Sequence, residues 1–311
     1  VWLPLKERKP RKALFDPDNL LNPGKIIDTP AMTENLRYGT PGYEKRIAEV
    51  KSNYHYHDQG GFALAVEQCN GLGACRKSNT GTMCPSYMAT RDEEAVTRGR
   101  ANALRLAMSG QLGPDALEGD RIQDVLSLCL SCKACKSECP NAVDMAKLKS
   151  DVLQMRHDKH GTPFGTRLVA ESPDMARRTA GLLAPLANFA QSLPPFKIIF
   201  EKITGIDRRR PLPKLASKTL PKLLRNHQAQ TKAPAESGRH VVLFDDTYSN
   251  YYEPNVGVAA VKLLENLGYK VTLAKAGCCQ RPRLSKGLVK DAKKHGTKTL
   301  TNLDAFARQG L

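Results

Sequence analysis

Apolar positions recur at helical spacing through the middle of the chain and gather into short apolar runs near its end. Leu104, Ala107 and Met108 share one helical face in a helix read over residues 90–110. Thr90 and Glu93 open that helix as a capping box, and Gly110 closes it. Ile122, Val125, Leu126 and Leu128 predict a second helix over residues 121–130. A third runs from Asp144, its capping residue, to His157, ahead of the stop at Gly161-Thr162-Pro163. Tyr54-His55-Tyr56-His57 alternates as a short strand would, which sets His55 and His57 on one face as a conceivable metal pair without a third ligand. The rest of residues 31–60, with Gly39, Pro41 and Gly42, reads as a polar connector.

The pattern changes after residue 165. Gly181 to Phe200 is the most apolar passage, and Pro185, Pro194 and Pro195 keep it short of the roughly 20 residues that span a bilayer. A core helix is the plain expectation there. A segment lying on a membrane surface is the sharper one, since Arg208-Arg209-Arg210, Lys214, Lys218 and Lys222 follow it. A proline- and lysine-rich linker continues to Ser237. Beyond it, Val241-Val242-Leu243-Phe244 and Val271-Thr272-Leu273 read as strands around a helix carrying Val258, Val261 and Leu264. That rhythm predicts a parallel β-α-β unit, with Cys278-Cys279 at the carboxyl end of its second strand, where open α/β sheets place their chemistry.

Cysteines fill the loops between the predicted helices. Cys129, Cys132, Cys135 and Cys139-Pro140 keep the C-x2-C-x2-C-x3-C-P spacing of a bacterial iron–sulfur ligand run, whose fourth cysteine ligates the other cluster of a pair. A partner Cys-Pro is therefore expected, and Cys84-Pro85 supplies it. Crossed ligation gives a first [4Fe-4S] cluster to Cys129, Cys132, Cys135 and Cys84. The second centre takes Cys69, Cys75 and Cys139, with Leu72 where the template has a cysteine. That centre is a three-iron cluster, a four-iron cluster with a non-cysteine ligand, or unassembled. Zinc bound by four thiolates is the competing reading. The expected fold is multi-domain: an all-α two-cluster ferredoxin module followed by an α/β domain.

Composition narrows the partners. The chain has 311 residues, nine cysteines and a formal net charge of +17. Seven of those cysteines lie between Cys69 and Cys139, which is no disulfide framework and suits thiolate ligands in a reducing cytoplasm. The positive charge suits an acidic partner or an anionic membrane face. No aromatic platform or reading motif accompanies it, so nucleic acid is not expected. Arg98, Arg100 and Arg105 are expected either to offset the negative charge of a nearby cluster or to line a solvated helix face. The opening Val1-Trp2-Leu3-Pro4-Leu5 reads as the middle of a domain, so a fragment of a longer chain is expected.

Phe15-Asp16-Pro17 with Leu20-Leu21-Asn22-Pro23-Gly24-Lys25 resembles the closing motif of FAD-linked oxidases of the vanillyl-alcohol-oxidase type. With Met83-Cys84-Pro85-Ser86-Tyr87, Thr97-Arg98-Gly99-Arg100-Ala101-Asn102 and the Cys129–Pro140 run, nearly the whole chain resembles bacterial FAD-linked dehydrogenases fused to an iron–sulfur module. These are of the D-2-hydroxyacid and D-2-hydroxyglutarate dehydrogenase type, related to glycolate oxidase iron–sulfur subunits. Gly277-Cys278-Cys279 resembles their cysteine-rich CCG domain, although Gln280 stands where that domain has glycine and only one of its two halves fits.

The resemblance implies four regions: the tail of an FAD-linked oxidase domain with its connector (1–50), the two-cluster module (51–165), a helical, basic linker (166–238) and half of a CCG domain (239–311). It implies electron transfer from an upstream FAD-binding domain to a quinone or soluble carrier, in the cytoplasm or at the inner membrane face. Catalytic and flavin-binding residues would then lie outside this chain, and Cys278 and Cys279 would be metal ligands or a plain thiol pair. Iron–sulfur subunits of glycolate, lactate or glycerol-3-phosphate dehydrogenases and a zinc-loaded basic binding module are the alternatives.

Overall fold

Asp16 ends the first helix, α1 (Leu5–Phe15), with its backbone N–H on Lys12 O, while its carboxylate accepts the N–H groups of Leu20 (2.8 Å) and Leu21 (2.9 Å) and pairs with Lys12. These donors, the Lys12 ammonium foremost, hold the Asp16 carboxyl below the usual carboxylate range. The structure is a computed structural model, described for residues 4–34, 50–230 and 239–310. The connector glycines and Pro41, and the end of the expected linker at Ser237, lie outside those residues. Apolar side chains of the first segment, among them Phe15, Leu20, Leu21 and Met32, stand exposed.

Six helices make the next unit: α2 (Phe62–Glu67), α3 (Pro85–Thr90), α4 (Thr97–Met108), α5 (Asp120–Ser127), α6 (Ala134–Glu138) and α7 (Met145–His160). Leu104 of α4, Ile122 and Leu126 of α5, and Leu148 and Val152 of α7 meet in one core that also holds Cys75, Cys84 and Cys135. Each such aliphatic side chain stabilises the fold by about 1.5–3 kcal/mol. Asp144 caps α7 as expected, its Oδ1 accepting the Lys147 N–H at 3.0 Å. Fully buried Asp151 ties residues 52–56 to α7 by accepting from Ser52 Oγ (2.6 Å), Asn53 N (2.8 Å) and the Tyr56 hydroxyl (3.2 Å).

Two local expectations fail in this region. The helix read over 90–110 begins only at Thr97, because Thr90 ends α3 and bonds back to the Ser86 carbonyl while Asp92 caps a separate turn through Glu94 N. Tyr54 to His57 forms no strand. Among the described residues no chain segment pairs with it, Tyr56 turns into the core, and the His55 and His57 rings stack in the open at 5.0 Å.

The chain continues through α8 (Phe164–Ala170), α9 (Ser172–Thr179), α10 (Ala184–Ser192), α11 (Pro194–Thr204) and α12 (Leu220–Gln230). The most apolar passage is no core helix. Leu193-Pro194 breaks it into α10 and α11, and Leu186, Phe189, Ile199 and Ile203 face solvent. Among the described residues no helix is long and apolar enough to cross a membrane.

The α/β unit forms as its apolar runs predict. β1 (His240–Leu243), α13 (Thr247–Tyr251), α14 (Pro254–Asn266) and β2 (Lys270–Leu273) are followed by α15 (Arg281–Ser285) and α16 (Val289–Ala307). β1 and β2 pair in parallel, from His240 opposite Lys270 to Leu243 opposite Leu273. α12 falls inside the stretch expected as linker, yet Leu220 and Leu224 pack with Val261 against Leu243 and Leu273. Gly257 makes that approach workable, since a Cβ there would lie 2.5 Å from the Leu220 side chain.

Candidate metal centre

Both cysteine runs close on the same helical core. Cys75, Cys84 and Cys135 are buried in it, and Cys69, Cys129 and Cys139 pack against it half-buried. Cys132 stands exposed at the lip of its loop. Cys135 lies within electrostatic reach of Cys129 and Cys84. Cys69, Cys75 and Cys139 line one small cavity, and Leu72, 67% exposed, lines it too. Cys139 thus sits with the first run and Cys84 beside the second, although Cys84 also feels Cys75 across the core.

Local backbone shape produces this convergence. Cys84 precedes α3 in the left-handed region (φ +56°), with Pro85 in the first helical turn, where its missing N–H costs nothing. Ser131 (φ +52°) and Lys133 (φ +65°) both take the left-handed region, which bends the second loop tightly on either side of Cys132. Glu138 joins the two loops, its carboxylate accepting Thr82 N at 2.8 Å and Met83 N at 3.3 Å. The residues before Cys84 and before Cys139 are therefore held together by one side chain.

The sulfurs receive helix N-termini. Thr97, the first residue of α4, donates its N–H to Cys84 Sγ at 3.3 Å, and its hydroxyl shares a second bond of 3.3 Å with the same atom. The next N–H of α4, from Arg98, serves Cys75, and the first N–H of α7, from Met145, serves Cys135. Burial still dominates at the protonated thiols: it pushes Cys75 up and Cys135 up to about 11. Such groups release their protons on binding metal, and the helix ends then face thiolates. Sequence reasoning missed Thr97 and Met145 as sulfur partners. Only the position of Thr97 within a resemblance motif, and Asp144 as a cap, pointed toward them.

The three arginines of α4 have separate fates. Arg98 pairs with Glu93 at 2.6 Å and reaches the Gly71 carbonyl. Arg105 pairs with Glu67 at 3.0 Å and binds the Cys69 carbonyl. Arg100 is buried and donates to Val125 O (3.2 Å) and Ser86 Oγ (3.0 Å). Lys149 of α7 was not foreseen at all; its ammonium donates to Cys129 O at 2.7 Å.

This donor set fits iron–sulfur clusters: seven thiols in two runs, with helix N-termini aimed at sulfur. Among the described residues no three His, Cys, Asp or Glu side chains converge on a point that a single ion would occupy, the pair His55 and His57 included. Residues 65–143 match the 4Fe-4S dicluster domain. That domain holds all seven cysteines of the two runs. The chain is 27% identical to D-2-hydroxyglutarate dehydrogenase of Escherichia coli (strain K12), over 96% of this chain and 33% of that protein. It is also 29% identical to a subunit of the anaerobic glycerol-3-phosphate dehydrogenase of the same organism, over 50% of this chain and 39% of that one. For its glycolate oxidase iron-sulfur subunit the figures are 26%, 70% and 48%. The chain spans about a third of the length of the D-2-hydroxyglutarate dehydrogenases that it matches. No solved structure matches it.

The segment that carries the second thiol pair reaches the dicluster domain through Arg281. Cys278 is half-buried and accepts Gln280 N at 3.3 Å and a hydrogen bond from Thr247, while Cys279 is exposed. The hydrogen bond between the two sulfurs brings Cys279 down to about 6 and drives Cys278 upward, with burial adding to the latter. Arg281 gives its N–H to Cys279 and its guanidinium to the carbonyl of Ser131, between Cys129 and Cys132. His157 Nε2 meets Lys286 O at 2.9 Å, and Lys290 N donates to Gln154 Oε1 at 3.1 Å, so α7 carries the docking.

Proposed function

We propose that this chain is the iron–sulfur electron-transfer segment of a flavin-dependent D-2-hydroxyacid dehydrogenase, with D-2-hydroxyglutarate as the favoured substrate. The observation that carries the reading is similarity over 96% of the chain to D-2-hydroxyglutarate dehydrogenases, with the dicluster cysteines gathered on one helical core. The bound clusters supply one-electron transfer, and the protein sets their potentials through ligands, burial and hydrogen bonds to sulfur. Cys129, Cys132, Cys135 and Cys84 hold the first cluster. Cys69, Cys75 and Cys139 hold the second, a 3Fe-4S or a 4Fe-4S with one non-cysteine ligand.

The domain order 1–50, 51–165, 166–238 and 239–311 belongs to the same proposal, with α12 contributing to the last unit. The FAD-binding domain lies upstream, and the exposed Phe15, Leu20 and Leu21 are its contact. The final unit is half of a CCG-type domain in which Cys278 and Cys279 contribute metal ligands. Electrons leave to a quinone or a soluble carrier at the cytoplasmic side. The exposed apolar face of α10 and α11 with the following basic residues supports a peripheral membrane contact.

Anaerobic reconstitution with iron and sulfide tests the reading. The expected product is brown, with absorbance bleached by dithionite and two clusters per chain by native mass spectrometry. A colourless protein with stoichiometric zinc refutes it. The segment alone turns over no D-2-hydroxyglutarate. The similarity to the glycerol-3-phosphate and glycolate enzymes supports the second reading, a subunit of one of those dehydrogenases, over a shorter share of the chain.

A further inference from the structure

Two cations are buried beside the first ligand set without an acidic partner. Arg100 is 2% exposed and Lys149 8% exposed. Arg100 gives its hydrogen bonds to Val125 O and Ser86 Oγ, and Lys149 to Cys129 O (2.7 Å) and Ser127 O (3.5 Å). Neither forms an ion pair among the described residues. The contrast with their neighbours is sharp, since Arg98 and Arg105 each have a glutamate. Asp144 caps α7 and faces Lys133 at 3.7 Å. Lys149 is further opposed by Arg100 and by Lys286.

Hydrogen bonding alone leaves this arrangement unbalanced. Val125 and Ser127 carry terminal carbonyls of α5, and a helix C-terminus offers about −0.5 elementary charge. Two full positive charges exceed that. An unpaired ion in a protein interior costs several kcal/mol, so a counter-charge of comparable size belongs at this place. Cys84 and Cys129, both assigned to the first cluster, adjoin the two cations: Ser86, two residues from Cys84, holds Arg100, and the Cys129 carbonyl holds Lys149. A four-thiolate iron–sulfur cluster carries net negative charge and gains one more when reduced.

We infer that Arg100 and Lys149 are the built-in counter-charges of the first cluster and hold its potential above the value that the same ligands alone would give. Both are positioning residues acting through charge across a low-dielectric interior, where each favours the reduced, more negative state. The arginines beside the second ligand set differ in having carboxylate partners, Arg105 with Glu67 and Arg98 sharing Glu93 with Arg76. The inference rests on the proposed cluster assignment.

Redox potentiometry of the loaded 311-residue protein tests it, alongside iron and sulfide content. Lys149→Gln keeps a hydrogen-bond donor and removes the charge; Lys149→Arg keeps the charge. Lys149→Gln and Arg100→Gln are each expected to move one midpoint negative at full loading, the double variant further, while Lys149→Arg stays near the parent. Unchanged midpoints in fully loaded glutamine variants overturn the inference. Should Lys149→Gln fail to load, rescue by Lys149→Arg supports it, and failure of both overturns it in favour of shape. A parent protein without iron and sulfide instead defeats the cluster assignment, and with it this inference, before any variant is made.

Discussion

Thr97 meets Cys84 twice: its backbone N–H and its hydroxyl each lie 3.3 Å from the Cys84 sulfur. The helix start thereby supplies two hydrogen-bonding groups to the thiol assigned to the first cluster. Thr97→Val keeps the shape and the N–H but removes the hydroxyl. The expected result is full loading, a negative shift of one midpoint potential, and a stability loss of about 1 kcal/mol for one hydrogen bond. Potentiometry with denaturant titration reads both; an unchanged midpoint at full loading would show that the hydroxyl leaves the potential alone.

Leu72 faces the cavity shared by Cys69, Cys75 and Cys139. A thiol placed there by Leu72→Cys supplies the ligand that the C-x2-C-x2-C template has at this position. Iron per chain is expected to rise where the natural second centre has three irons, with a matching change in its EPR signature. Unaltered iron content and spectra would mean that position 72 does not reach the cluster.

Arg105 ties three things together: the Glu67 carboxylate, the carbonyls ending α2, and the Cys69 carbonyl. Arg105→Ala leaves Glu67 half-buried without this cation, and breaking such a pair costs about 3–5 kcal/mol. Loss of the second centre before the first is expected on titration with a chelator. Arg105→Lys retains charge but not the guanidinium fork, so an intermediate effect should appear.

Gly287 lets the C-terminal unit sit on α7. Its backbone is left-handed (φ +75°), and a Cβ there would fall 2.2 Å from the Leu153 Cβ. Gly287→Ala is expected to destabilise this contact by about 1–3 kcal/mol through overpacking, with backbone strain added. Limited proteolysis should then cut between α12 and β1 faster than in the parent. Equal cleavage rates would indicate that α15 and α16 hold to α7 without this close approach.

Much of this molecule is written in short-range pattern. The spacing of Cys129 to Cys139 already pointed to a ligand run, because a few residues of loop fix how far apart neighbouring thiols can reach. Asp144 and the apolar spacing after it gave α7 to within three residues at its end. The β-α-β unit followed from two apolar runs and one helical face, since buried strands and an amphipathic helix leave different periods. Errors arose where local signals compete. Thr90 and Glu93 matched a capping box, yet Thr90 closes α3 instead. The Tyr-His alternation had the period of a strand but no partner to pair with. The apolar passage after Gly181 had core-like composition, but its proline break turned much of it outward.

What the sequence by itself determined is the cysteine spacing, matched by the 4Fe-4S dicluster domain, and the helices that bracket it, since both depend on residues near one another in the chain. What only the tertiary structure decided is the electrostatic setting. Arg98, Arg100 and Arg105 are alike in sequence, yet two meet glutamates and one is buried without one. Lys149 reaches the Cys129 carbonyl from 20 residues away, and Arg281 reaches Ser131 from 150. Burial and charge pairing depend on which distant segments pack together, and that information lies in no local stretch of the chain.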